Sequence, residues 1–130
     1  MNKILIDTNI YSLAMRGDST VIDILQQSSQ IGITSISMGE LLSGFKGGSK
    51  EMENRKELNQ FLDSPRVTFY AIDAESAEYY SAILNQLKKQ GTPIPTNDIW
   101  IAAVAFQQGL QMVTNDKHFS YIDGLLLDQV

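Results

Sequence analysis

Short, mostly apolar runs separated by much longer segments of helical spacing constrain this chain more than any other feature. Lys3-Ile4-Leu5-Ile6, Ile31-Gly32-Ile33-Thr34, Val67-Thr68-Phe69-Tyr70 and residues 110–113 are each about one strand long, and Ile4-Leu5-Ile6 in the first is apolar without alternation. A strand with one wet face shows that alternation, whereas one covered on both faces does not. Between the runs, the spacing predicts helices over residues 10–16 and 19–27, interrupted by Gly17, and another opening at Ser37 and broken at Gly47-Gly48. Further helices are expected over residues 50–62, from an Asp73 cap to Gln90 with Gly91 as the stop, and from Asn97-Asp98 to Gly109. The last of these is apolar on nearly every side and belongs in the interior. Leu125-Leu126-Leu127 supplies a fifth, edge strand. Strands alternating with helices, without repeats or low-complexity linkers, predict a single α/β domain over residues 1–130 with a mainly parallel sheet of four to five strands.

That topology gives meaning to four acids. Asp7, Glu40, Asp98 and Asp116 each stand where a predicted strand has ended or a predicted helix begins. In a parallel sheet such points share the carboxyl edge, where ligands bind. Singly, each has a structural explanation. Asp7 suits a helix cap, Glu40 stands at capping-box spacing from Ser37, Asp98 suits a first turn capped by Asn97, and Asp116 suits a turn. Together at one edge, four carboxylates repel one another unless a cation lies between them. A divalent metal site is the expectation, and oxygen-only ligation favours Mg2+ or Mn2+ over zinc. Thr8, Asn97, Thr114 and Asn115 offer short hydroxyl and amide groups that orient carboxylates and coordinated water.

Composition removes several other classes. There is no cysteine, hence no disulfide framework, thiolate nucleophile or Cys-based zinc site, as suits a reducing cytoplasm. His118 is the only histidine, which argues against a Ser-His-Asp apparatus and a histidine-rich metal site; a surface position near the rim is expected for it. The apolar run at Ile4–Ile6 is too short for a signal peptide and no stretch is long enough for a membrane span, so a cytoplasmic location is expected. A net charge of -5 looks unfavourable for a polyanionic substrate. Setting the four candidate ligands aside brings the remainder close to neutral, and two bound divalent ions would cancel the site, so charge does not decide the substrate.

Four segments carry a resemblance: Ile6-Asp7-Thr8-Asn9, Ser37-Met38-Gly39-Glu40-Leu41, Asn97-Asp98-Ile99-Trp100-Ile101-Ala102-Ala103 and Val113-Thr114-Asn115-Asp116-Lys117-His118-Phe119. In order and spacing they resemble the motifs of PIN-domain ribonucleases, and especially the VapC toxins of toxin-antitoxin systems, across essentially the whole chain. The resemblance implies a PIN-like α/β/α sandwich in which Asp7 and Asp98 most directly hold metal, Glu40 matches the third-helix glutamate, Asp116 the more variable fourth acid, and Thr114 a supporting hydroxyl. It also implies Mg2+- or Mn2+-assisted hydrolysis of RNA phosphodiesters, in transfer or ribosomal RNA, by one or two ions. A homodimer silenced by a VapB-like antitoxin is implied as well.

Candidate contacts are less defined. Lys46, Lys50, Arg55, Lys56, Lys88, Lys89 and Lys117 are candidates for gripping an RNA backbone, though lysines usually form ordinary solvated surface. Leu41, Leu42 and Phe45 with Tyr11, Tyr79 and Tyr80 are candidate partner surface, although aromatics at helical spacing are more often core. Two other functions fit less well. An aspartate-based phosphotransferase wants a second Asp two residues after the first, where Asn9 stands. An inert RNA- or protein-binding domain of the same fold would be marked by a missing acid, and none is missing.

Overall fold

In the computed structural model, which describes residues 2–130, all five strands run parallel. In chain order the elements are β1 (Lys3–Ile6), α1 (Thr8–Met15), α2 (Ser19–Gln27), β2 (Gln30–Thr34), α3 (Ser35–Lys46), α4 (Glu51–Leu62), β3 (Val67–Tyr70), α5 (Ala74–Gln90), α6 (Thr96–Gln108), β4 (Gln111–Thr114), a 3-10 helix (Lys117–Tyr121) and β5 (Leu127–Gln129). The sheet order is β3-β2-β1-β4-β5. The chain first steps outward from β1 to β2 to β3, then crosses back to β4 on the other side of β1. The order therefore reverses beside β1, and a crevice opens there at the carboxyl edge.

Two apolar layers follow from the side-chain alternation of the central strands. Ile4, Ile6, Ile31, Ile33 and Val113 face α1 to α4, where they pack with Ile10, Tyr11, Val21, Leu41 and Leu58. Leu5 and Met112 face the opposite way, toward α5, α6 and the 3-10 helix. Helix α6 is a core element, with Ile99 and Ile101 through Ala105 at 1% exposure or less. Its alanines let it lie close to the sheet. Gly32 serves the same layer: a Cβ there would lie 2.7 Å from the Tyr70 ring, so glycine lets that ring cover the strand. The parallel α/β sandwich with a buried penultimate helix agrees with the sequence reading.

Several boundaries and caps differ from it, each for a local reason. Helix α3 begins at Ser35 rather than Ser37. Thr34, the last residue of β2, caps it by accepting the Ser37 N–H at 3.1 Å, so Ser37 and Glu40 form no capping box. Helix α6 begins at Thr96 with Pro95 as its N-cap residue and no side-chain cap, so Asn97 is not the cap. Residues 117–121, to which the sequence assigns no element, form the 3-10 helix, capped by Asp116 through the His118 N–H at 2.9 Å. Strand β5 lies at Leu127–Gln129 instead of residues 125–127, and Leu126 is left 63% exposed. Asp73 does cap α5, in a reciprocal pair with Ser76, and Gly91 ends it at φ 69°.

Candidate active site

All four acids reach the crevice beside β1. Asp7 leaves the end of β1, Glu40 sits on α3, Asp98 occupies the first turn of α6 and Asp116 follows β4. Together with Thr8, Asn9 and Ile101 they line a cavity of about 110 Å³. That space is small and open to solvent on one side, room for an ion with its coordinating oxygens.

The carboxylates are held in two different ways. Asp7 is 5% exposed and is clamped from both ends, accepting the Ile10 N–H at 2.9 Å on Oδ1 and the Thr114 hydroxyl at 2.6 Å on Oδ2. It is therefore both a helix cap and a cavity wall. Thr114, fully buried, also accepts the Asp116 N–H at 2.9 Å and so ties the two strand ends together. Glu40 accepts from the Thr8 hydroxyl at 2.6 Å and from the Asn97 side-chain amide at 3.4 Å. Of the four supporting residues expected from sequence, Thr8, Asn97 and Thr114 thus contact the acids. Asn115 is exposed and does not line the cavity.

Asp98 and Asp116 face one another more openly. One carboxylate oxygen of each and a ring nitrogen of His118 lie within 4.8 Å of one another. The His118 Nδ1 is 3.2 Å from the Asp116 Oδ1. His118 is near the rim, as expected, yet it reaches the acids. The sequence carried no periodic signal for the short helix that folds it back. Asn9, which was not among the expected site residues, also lines the cavity.

Electrostatics report a site short of positive charge. The Asp98 carboxyl is pushed up to about 6, first by burial, then by the negative charges of Asp116, Glu40 and Asp7, with His118 pulling the other way. Burial also raises Asp7, opposed by its hydrogen bonds from Thr114 and Ile10. Such shifts mark carboxylates that favour either a proton or a metal ion. The donor set of four carboxylates with one imidazole at the rim fits a divalent ion.

The remaining candidates separate cleanly. Tyr11 is 2% exposed and packs edge-on against Phe61, so it is core, and Leu41 is buried beside it. Tyr79 stacks on Phe106 and Tyr80 on Trp100, both between α5 and α6. Lys46 and Arg55 pair with Glu51 at 3.3 and 3.7 Å on the surface. Among the described residues no helix is long and apolar enough to cross a membrane.

Comparison with known proteins places this architecture. A family model described as PIN domain matches residues 4–125. Ribonuclease VapC2 of Rickettsia felis is 31% identical over 129 residues, covering 95% of this chain and 95% of that protein. The structure of VapBC2 from Rickettsia felis, bound to a DNA fragment from their promoter, superposes with a TM-score of 0.86 at 27% identity, covering 98% of both chains. VapBC-1 from nontypeable Haemophilus influenzae superposes with a TM-score of 0.86 at 26% identity, covering 97% of this chain and 96% of that one.

Proposed function

Because the chain belongs to the PIN-domain family and is VapC-like along nearly its whole length, we propose that residues 1–130 form one metal-dependent endoribonuclease domain, the toxin of a VapBC-type toxin-antitoxin system. The observation that carries this reading is the convergence of Asp7, Glu40, Asp98 and Asp116 on one small cavity, with Asp98 pushed up to about 6. Carboxylates so gathered are costly unless they hold a cation, and phosphodiester hydrolysis by a divalent ion needs such a cage.

Asp7, Asp98, Asp116 and Glu40 are the residues that would hold Mg2+ or Mn2+. When bound, such an ion supplies a water of lowered pKa and neutralises charge on the phosphate and the departing oxygen. The chain's own contribution is positional. Thr114 fixes the Asp7 carboxylate and the Asp116 backbone, while Thr8 and Asn97 aim Glu40 into the cavity. Transfer or ribosomal RNA is the proposed substrate, with water as the nucleophile.

Two solved relatives are VapBC complexes, which supports a VapB-like antitoxin as partner, and a cytoplasmic site of action is proposed with it. A homodimer is the proposed assembly. The test is cleavage of mixed transfer and ribosomal RNA by antitoxin-free protein in Mg2+ or Mn2+, with chelator and Asp98→Asn alongside. Discrete fragments that vanish with either control are expected. Metal and RNA binding without turnover would instead identify an inert domain of this fold.

A further inference from the structure

His118 stands apart from the acids in its chemistry, as the one nitrogen donor among the candidate ligands. Asp116 accepts the His118 N–H at 2.9 Å, which turns the chain back and sets the ring nitrogen Nδ1 3.2 Å from the Asp116 carboxylate. The Tyr121 ring lies on the same short helix, its centroid 6.4 Å from that of the imidazole. A ligand atom from each of Asp98, Asp116 and His118 falls within 4.8 Å of the other two. Adjacent ligands of a six-coordinate ion with bonds of about 2.1 Å sit about 3 Å apart, and opposite ones about 4.2 Å. The three donors are thus within side-chain adjustment of a shared ion. Both oxygens of Asp7 and of Glu40 accept one hydrogen bond from the protein, which orients them along the same cavity and leaves each a lone pair for the ion.

We propose that His118 is a direct ligand of the divalent ion, so that Asp98, Asp116 and His118 take a first-row transition ion such as Mn2+ in preference to Mg2+; this rests on the metal-dependent reading above. The preference follows from donor chemistry. Mg2+ demands hard oxygen donors and parts reluctantly with its waters, whereas imidazole is a good donor to transition ions. The ordinary alternative is a surface pair between His118 and Asp116, which has no bearing on which ion is preferred. His118 is exposed, so its replacement leaves the core intact.

The experiment is calorimetric titration of the antitoxin-free chain with Mn2+ and with Mg2+, comparing wild type, His118→Gln and Asp98→Asn. Alongside it, the imidazole nitrogens of 15N-labelled wild type are followed by NMR during Zn2+ addition; with one histidine in the chain, those signals need no assignment. The expected result is a loss of about tenfold or more in Mn2+ affinity in His118→Gln with Mg2+ affinity unchanged, and a coordination shift at one ring nitrogen. Ring nitrogens that do not move, or Mn2+ and Mg2+ affinities that respond alike, overturn the proposal. If Asp98→Asn still abolishes binding in that case, the metal site stands and only the role of His118 falls. Failure of wild type to bind either ion overturns both.

Discussion

Replacing Asp98 by Asn separates the cost of the site from its use, because the two have opposite signs. In the metal-free protein the Asp98 carboxyl is raised from 3.8 to about 6 by burial and by three neighbouring carboxylates. A gap of about two pH units corresponds to about 3 kcal/mol at 1.36 kcal/mol per unit. Asp98 is partly exposed, so solvent screening reduces that to about 1–2 kcal/mol. A raised carboxyl binds its proton more tightly in the folded than in the unfolded state. Its stabilising effect is therefore complete below the unfolded value near 4, falls as pH rises toward 6, and is gone above that. Asparagine carries no such dependence. In chelator, Asp98→Asn should match wild type near pH 4 and exceed it by about 1–2 kcal/mol near pH 7.5, read from urea midpoints at constant slope. Saturating Mg2+ or Mn2+ should reverse the order, since an ion at about 100 times its dissociation constant stabilises the protein that binds it by about 2.7 kcal/mol. RNA cleavage should fall by about a hundredfold or more. A variant less stable than wild type in chelator at neutral pH, or equally stabilised at both pH values, would refute the claim that the site is a cluster of uncompensated charge.

Other substitutions probe the supports. Thr114→Val removes the hydroxyl shared by Asp7 and Asp116; it should cost about 1–3 kcal/mol in denaturant unfolding and lower kcat/KM about 10- to 100-fold, and a wild-type rate would deny Thr114 its positioning role. Gly32→Ala drives a methyl to 2.7 Å from Tyr70 and 3.0 Å from Leu5, and should destabilise the fold by about 1–3 kcal/mol without changing the metal titration. Hydrogen bonds from Ser76 and Gln107 lower the Asp73 carboxyl, so its stabilising effect is present above the unfolded value and is lost as pH falls through the lowered one. Asp73→Ala should accordingly be less stable than wild type at neutral pH and approach it in acid, as thermal melts across that range will show.

The central strands were legible because strands covered on both faces carry adjacent apolar residues, which leaves runs such as Leu5-Ile6 and Met112-Val113 visible without any partner. Once their carboxyl ends were located, Asp7 and Asp116 followed, and the helix starts added Glu40 and Asp98. Caps were less legible because a cap depends on where the preceding element stops. Thr34 belongs to β2 by its pairing with Tyr70 and to α3 by its hydroxyl, and nothing in the local pattern announces that double use. Edge strand β5 pairs only with β4, so its register answers to one neighbour and the apolar Leu125-Leu126 pair misleads. His118 was placed at the rim and no closer, because a single turn of 3-10 helix has too few residues to show a period.

Reversal of the strand order beside β1 also has a consequence in time. β1 is made first, yet one of its two neighbours, β4, comes from the far end of the chain. A nascent polypeptide that has displayed Asp7, Glu40 and even Asp98 carries no assembled cage until Gln111–Thr114 leaves the ribosome and slots in beside the first strand. Domains fold as units during synthesis, and pairings between distant segments are the slow ones. A growing chain thus holds Asp7 without its Thr114 partner, and truncation upstream of β4 would remove both that hydroxyl and Asp116 from the cavity.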